Sequence, residues 1–495
     1  MAKFKPYLFE QGELLPQHLG DWIPDAHLVR TVSDIVDQLD LRPFFDRYRE
    51  RGEEAYHPRM LIKVLFYGYA TGVMSSRELE HMIHFHICFR WLCGSGAKPN
   101  FRTISDFRKN HLHLLPDVFQ KVSLIIQELG YASLQHVSVD GSKVKANASK
   151  HKAMSRERMK QELEKGKQEI AQALQDAQKG DDAEAAKPVE EPEQRAWAER
   201  RRTRIQAALA ELEERKPEDQ KGSSGQDQIN FTDSDSRIMD TKNQGITQAY
   251  NPQITVDADH GFIVGLAMSN SSNDIRQFDA VLDSVKTHTG RFPEKVSADA
   301  GYFSAANITA CDARGIDGYI AASREGKQAG NAYDKSNFTY HPEDDVYVCP
   351  AGNVLHLKHT QHAQDDQKPT KWVYECQDCG GCPFQKECAK ARSGLRTITR
   401  TESDPKRESM RTKVQGEAGR AVYGQRKTIV EHVWGEIKQI MGFRQFHLRG
   451  LKKVDGEFTL VAIAYNVRKL HSMRHPKPDT QYRRERSAQK RGKAA

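Results

Sequence analysis

Along the first quarter of the chain apolar residues recur every three to four positions, the spacing of amphipathic helices. Leu28, Val29, Val32, Ile35, Val36 and Leu39 predict a helix over 26–41. Leu61, Val64, Leu65 and Gly68 predict another, with Pro58 in its first turn and Gly72 at its end. Ser75-x-x-Glu78 reads as a capping box ahead of Leu79, Met82 and Ile83, and Thr103-x-x-Asp106 as a further cap. Pro116 begins a strongly apolar helix over 118–129, closed by Gly130. Residues 26–130 are expected to be all-helical, with basic residues around the third and fourth helices. Two readings stand: a helix–turn–helix that docks on DNA, and a plain bundle used for dimerisation.

At residue 136 the period changes to two. Val137 and Val139 alternate with polar residues in a short strand ending at Asp140, where Gly141 is expected to let the backbone turn. Lys143 and Lys145 flank Val144 in a second strand with a cationic face. Strands follow over 247–256 and 261–268, then Asn273-Asp274 lead into a helix over 276–286. A strand over 295–299 ends at Asp299, followed by a helix over 304–314 and a strand over 318–321. A hairpin meander followed by crossovers suits an α/β fold, a mixed sheet with helices on its faces. Residues 421–450 read as one long helix with an apolar stripe of Val430, Val433, Ile437 and Met441. An apolar helix over 458–470 follows.

Two stretches interrupt this order. Over 151–229 charge density rises and apolar residues thin out. Met159, Leu163, Ile170 and Leu174 mark one helix, and Trp197, Ile205, Leu209 and Leu212 a second. They predict an inserted helical hairpin with a mobile acidic tip at 179–192 and a linker at 221–226. A solvated spacer is one reading and DNA or partner contact the other. Over 335–392 five cysteines gather. Cys379-x2-Cys382-x5-Cys388, with Cys349 on a turn, has ligand spacing for one structural Zn²⁺, and Cys376 leaves the set ambiguous. The alternative is reduced thiols packed in a small β-rich lobe.

Composition narrows the setting. The 495 residues carry a net charge of +8, compatible with a nucleic-acid partner. No apolar run approaches the ~18–20 residues of a membrane span, and the start lacks a signal peptide's apolar region, so no membrane partner and a cytoplasmic, nucleoid-associated location are expected. The tail over 476–495 is basic and expected to be disordered.

The chemistry concentrates on three acids. Asp140 beside Lys143 and Lys145 suits a metal-dependent phosphate site, with a charged hairpin at a sheet edge as the alternative. Asp299 closes a later strand with Tyr302 just beyond it, and Glu431 sits on a late helix. Acids so placed converge on divalent metals, and two Mg²⁺ ions ~3.5–4 Å apart activate a water and stabilise a leaving oxygen in phosphodiester cleavage. At ~100° per residue, Lys427, Glu431, Trp434 and Lys438 share one narrow stripe, whereas Glu436 lies about 140° round from Glu431.

These motifs resemble the DDE transposases of bacterial insertion sequences, in the group whose last block reads Tyr-x2-Arg…Glu-x6-Lys. The matching residues are Val139-Asp140-Gly141 with Ala146-Asn147-Ala148-Ser149, Ala298-Asp299-Ala300-Gly301-Tyr302, Tyr423-x2-Arg426 and Glu431-x6-Lys438. The helical stretch from His57-Pro-Arg-Met-Leu61 through Ser75-Ser-Arg-Glu78 to Thr103-Ile-Ser-Asp-Phe-Arg108 resembles that group's N-terminal domain. The group spaces its Arg and Glu by three residues; four separate Arg426 from Glu431. The resemblance implies an RNase H-like catalytic core in segments 135–150, 230–334 and 393–475, split by the insertions 151–229 and 335–392 and preceded by a helical DNA-binding and dimerisation domain over 1–134. It implies Asp140, Asp299 and Glu431 as a triad holding Mg²⁺ or Mn²⁺, with Tyr423, Arg426 and Lys438 on phosphates near the cleaved bond. Lys143, Lys145, Tyr302, Lys427 and Arg108 are further expected DNA contacts. The implied reaction is hydrolysis at a transposon end and attack of the freed 3′-OH on target double-stranded DNA, by a homodimer or higher oligomer. Two other readings are a catalytically inactive DNA-binding regulator derived from such an enzyme, and a metal-binding scaffold that recruits partners.

Overall fold

The computed structural model describes residues 18–46, 48, 54–94, 96–180, 192–214, 228–241, 245–322, 332–362 and 370–476. The acidic tip expected at 179–192, the linker at 221–226 and the basic tail at 476–495 lie wholly or almost wholly outside these residues.

Among the described residues seven helices open the fold: α1 Leu28–Asp37, α2 Arg42–Phe45, α3 Pro58–Thr71, α4 Ser76–Phe85, α5 Ile87–Cys93, α6 Phe101–His111 and α7 Leu115–Glu128. Pro58 stands at the start of α3, and Gly72 caps its end in the left-handed region at φ 85°. Two expected caps differ. Ser75 precedes α4 but makes no side-chain capping bond. At α6 the cap is Asn100, whose side chain accepts from the Thr103 amide at 2.9 Å, so Thr103 lies inside the helix rather than before it.

The main sheet is built on one long strand. Its members are β1 His136–Gly141, β2 Val144–Lys145, β5 Arg237–Thr241, β6 Gly245–Asp257, β7 Ile263–Ser269, β8 Lys295–Ala298 and β9 Asp317–Ile320. The first half of β6 pairs with β2 and β5, and its second half with β1 and β7, all antiparallel. β1, β8 and β9 run parallel, with α10 Phe278–Thr289 and α11 Ala305–Ala313 in the crossovers. This is the expected mixed α/β arrangement. From Thr247 to Asp257 every residue of β6 is buried, as a strand covered on both faces requires.

The short pair β3 Ala153–Ser155 and β4 Gln228–Asn230 roots a hairpin of α8 Arg156–Gly180 and α9 Pro192–Glu214. The hairpin has a small core of its own: Met159, Ile205, Ala208, Leu212 and Ile229. A second, five-stranded antiparallel sheet runs in sequence order: β10 Thr339–His341, β11 Val346–Val348, β12 Val354–Gln361, β13 Lys371–Cys376 and β14 Thr397–Thr401. It closes beyond residue 392, because β14 completes the edge of β13. The short α12 Gln385–Cys388 lies between those two strands.

After α13 Asp404–Gln415, the region expected as one helix over 421–450 divides. α14 Glu417–Gly424 and α15 Arg426–Gly435 meet at Gln425, and a π-helical turn, Glu436–Ile440, ends the run. Gly442, at φ 72°, follows at once. The last helix, α16 Leu451–Arg474, is much longer than its apolar stripe and nearly all of its central residues are buried. It packs on α1, α3, α7 and β7 together, so helical region and sheet share one hydrophobic core from Ile23 to Leu470.

Candidate active site

The parallel register of β1 and β8 pairs Val139 with Ala298, which sets Asp140 and Asp299 side by side just past the paired residues. One cation serves both. Arg426 Nη2 donates to Asp140 Oδ1 at 2.9 Å and lies 3.7 Å from Asp299 Oδ2. Arg426 opens α15 and is only 8% exposed, so it holds the pair from beneath instead of from solvent. Lys438 Nζ donates to Ser142 Oγ at 2.5 Å and to the Lys143 carbonyl at 3.3 Å, immediately after Asp140-Gly141, and its ammonium lies over Trp434.

Glu431 and Glu436 part company here. Glu436 Oε1 accepts from Arg468 Nε of α16 at 3.0 Å, away from the aspartates. Glu431 is exposed on α15. Five residues from Arg426 it stands about 140° round the helix, and Val430, one turn on from Arg426, is fully buried. The extra residue in the last block thus turns Glu431 off the Arg426 face. Among the described residues no three His, Cys, Asp or Glu side chains are gathered closely enough to form a metal-holding group.

The expected phosphate contacts divide by burial. Lys143 and Lys145 are partly exposed beside Asp140, Lys427 is exposed, and Tyr423 is half-buried. Burial, and then the Asp299 and Asp140 carboxylates, push the Tyr423 phenol upward against the lowering effect of Arg426. Two expectations are corrected. Tyr302 is fully buried, and its hydroxyl donates to Gln253 Oε1. Arg108 is 6% exposed, with Nη1 donating to Tyr69 Oη at 2.9 Å and to the Met74 carbonyl at 2.8 Å. Both polar ends are spent inside the fold, leaving neither free to meet a phosphate.

One acid escaped the sequence reading except as the start of a helix. Asp274, in the loop after β7, accepts from Asn251 Nδ2 at 2.6 Å and Gln253 Nε2 at 2.9 Å. It stands next to both Gly141 and Gly301. Its only signal was its proximity in sequence to α10, because the strand register that brings it to the site is not local.

In the second sheet Cys349, Cys376, Cys379, Cys382 and Cys388 line one cavity with Tyr333, Phe384 and Arg396. All five are free thiols. The Asn353 amide donates to Cys349 Sγ at 3.2 Å and the Arg396 amide to Cys379 Sγ at 3.5 Å. Burial pushes the Cys376 thiol up to about 12. The cavity therefore includes the four expected cysteines and also Cys376.

No helix among the described residues is long and apolar enough to cross a membrane. Comparison with family models finds a transposase domain (DUF772) over residues 17–110 and a transposase DDE domain over residues 348–471. No curated protein and no solved structure matches the chain. The first match covers α1 to α6, and the second runs from the cysteine-bearing sheet through α15, with Arg426, Glu431 and Lys438, into α16. With transposase domains matched at both ends of one shared core, the chain carries the domains of a DDE transposase, and the two matches together support one of the insertion-sequence type.

Proposed function

We propose that this transposase cuts DNA at the inverted ends of its element and joins the freed ends to target DNA, using an RNase H-like core. The observation that carries the reading is the pair of strand-end aspartates sharing Arg426. Two carboxylates directed at one guanidinium leave negative charge in excess where a cation would sit, so the donor set fits Mg²⁺ or Mn²⁺. Asp140 and Asp299 would hold it, with Glu431 of α15 joining them. A bound divalent ion supplies charge stabilisation at the scissile phosphate and lowers the pKa of a water.

The chain's own residues do the rest. Lys438 is fixed at the turn after Asp140, where its charge faces an incoming phosphate; Lys143 and Lys145 follow that turn, Tyr423 lies near both aspartates, and Lys427 would add an exposed cation. Arg426 orients both carboxylates from below. In the first step water attacks the phosphorus, the bond to the 3′ oxygen breaks and a 3′-OH leaves. In the second, that 3′-OH attacks a target phosphodiester and displaces the target's own 3′ oxygen. A homodimer or higher oligomer assembled on DNA would bring two ends together.

The decisive experiment compares Asp140→Asn and Asp299→Asn with wild type on end DNA. Both should lose Mg²⁺-dependent cleavage and keep end binding, and that binding should weaken steeply with salt. Near wild-type cleavage in both variants refutes the assignment. Binding without cleavage by wild type itself favours a DNA-binding regulator.

For the second sheet we infer one structural Zn²⁺ held by thiolates from Cys349, Cys379, Cys382 and Cys388, which would have to draw together around the ion, since no three of them are gathered tightly enough in the fold as it stands. The shared cavity and the two amide-to-sulfur hydrogen bonds support it.

A further inference from the structure

Asp274 connects the two aspartate motifs. Asn251 and Gln253 lie two residues apart on β6, both are buried, and both amides donate to Asp274 Oδ1. Gln253 lies opposite Gly141 in the β1–β6 register. The other end of its side chain, Oε1, accepts from Tyr302 Oη, in the turn that follows Asp299. A chain of hydrogen bonds therefore runs Asp274–Gln253–Tyr302, past Asp140-Gly141 and into the Asp299 turn.

The glycines of both motifs make room for it. Neither Gly141 nor Gly301 has a positive φ, so neither is required by backbone conformation. A Cβ on Gly141 would overlap Gln253 Nε2 and stand 2.8 Å from Asp274 Oδ1. One on Gly301 would stand 3.0 Å from Asp299 Oδ1 and 3.5 Å from Asp274 Oδ2.

A carboxylate only accepts, whereas an amide can present either end. Asp274 thus decides which way Gln253 points: NH₂ toward Asp274, carbonyl toward Tyr302. Tyr302 must then donate, as its hydroxyl does. The loop does not depend on this side chain for its place. Asn307 Nδ2 ties the Ile275 carbonyl to the Tyr302 carbonyl at 2.8 and 2.7 Å.

We propose that Asp274 is a positioning residue of the active site, fixing Gln253 and through it Tyr302 and the turn that carries Asp299. The inference rests on the cleavage reading above. Because both hydrogen bonds land on Oδ1, Asp274→Asn can keep them, while Asp274→Ala cannot.

The test uses the full chain. With Asp274→Ala, end cleavage should fall by roughly ten- to hundred-fold, with end-DNA affinity and the Mg²⁺ concentration for half-maximal rate unchanged. Asp274→Asn should restore most of the rate. Amide hydrogen exchange over residues 299–303, measured without DNA or metal, should quicken in Asp274→Ala and stay at the wild-type rate in Asp274→Asn. Wild-type cleavage and exchange in Asp274→Ala overturn the proposal. So does an Asp274→Asn variant as inactive as Asp140→Asn with a raised Mg²⁺ requirement, which would make the charge, not the hydrogen bond, the working feature. If wild type cleaves no DNA the cleavage reading fails, and the exchange measurement alone then decides whether Asp274 holds the turn.

Discussion

Asp140 and Asp299 owe their closeness to a single step of strand register, and small changes at single residues should show it. Gly141→Ala places a methyl against Gln253 and Asp274 within a sheet covered on both faces. It should cost about 1–3 kcal/mol of stability and depress cleavage, read from a denaturant midpoint and an end-cleavage assay. The two glutamates of the late helix make a sharper pair. Glu436→Gln removes the charged partner of Arg468 and should lower stability by about 1 kcal/mol while leaving most cleavage intact. Glu431→Gln should eliminate cleavage with no loss of stability, because Glu431 is exposed on its helix. The reverse pattern would show that Glu436 is the third acid.

Among the elements, the hairpin of α8 and α9 is the most separable. Ser155 and Gln228 face each other at the end of the β3–β4 pair, so a two-residue Asn-Gly turn should replace residues 156–227 without disturbing that register. The excised piece takes its own core with it and leaves Ile229 uncovered. The shortened protein should fold with a melting temperature within a few degrees of wild type, checked by calorimetry. Its end-DNA affinity then separates spacer from contact surface: no change supports the spacer. The second sheet offers a different test. Protein purified without chelators should contain about one Zn²⁺ per chain, and chelation should loosen the cysteine cavity while the main core stays folded. Metal-free protein with an equally protected cavity would favour packed thiols.

Across the whole molecule, α16 joins the helical region to the sheet. Glu457, fully buried on that helix, accepts from Tyr69 Oη at 3.0 Å and from the His447 and Leu448 amides at 3.0 and 2.9 Å. Tyr69 in turn accepts from Arg108. Glu457→Gln should therefore cost about 1.5–3 kcal/mol and lower the stability of helices and sheet in one transition, seen as coincident far-UV and near-UV unfolding. Two separate transitions would refute the shared core. Acid should strain the same junction. His471 Nδ1 lies 2.9 Å from Thr31 Oγ1, and burial, with His475, His27 and Arg468 nearby, lowers its pKa from 6.5 to about 4. The depressed imidazole contributes stability that is complete above pH 6.5 and is lost as pH falls toward 4, since the unfolded chain takes up a proton that the folded one resists. Relative to His471→Gln, wild type should lose stability over that window, measured by denaturation at stepped pH.

Period and punctuation alone determined most elements: the helices opened by Pro58 and Pro116, the strands that carry the chain to Asp140 and Asp299, and the helical hairpin. Those signals are local, because a buried face imposes its spacing on the residues that make it. The three motifs also carried the family resemblance, and the matched domains bear it out. Register, depth and partners belonged to the tertiary structure. Gly141 reads as a turn in sequence but lies within β1, where its lack of a side chain leaves space for Asp274 and Gln253. Arg108 reads as a DNA contact on an amphipathic helix, yet Tyr69 and the Met74 carbonyl, more than thirty residues away, draw it inside. Asp274 reads as a helix start and becomes a neighbour of both aspartate motifs once β6 pairs with β1. Each depends on contacts between segments far apart in the chain, and such contacts leave no periodic trace in the sequence that makes them.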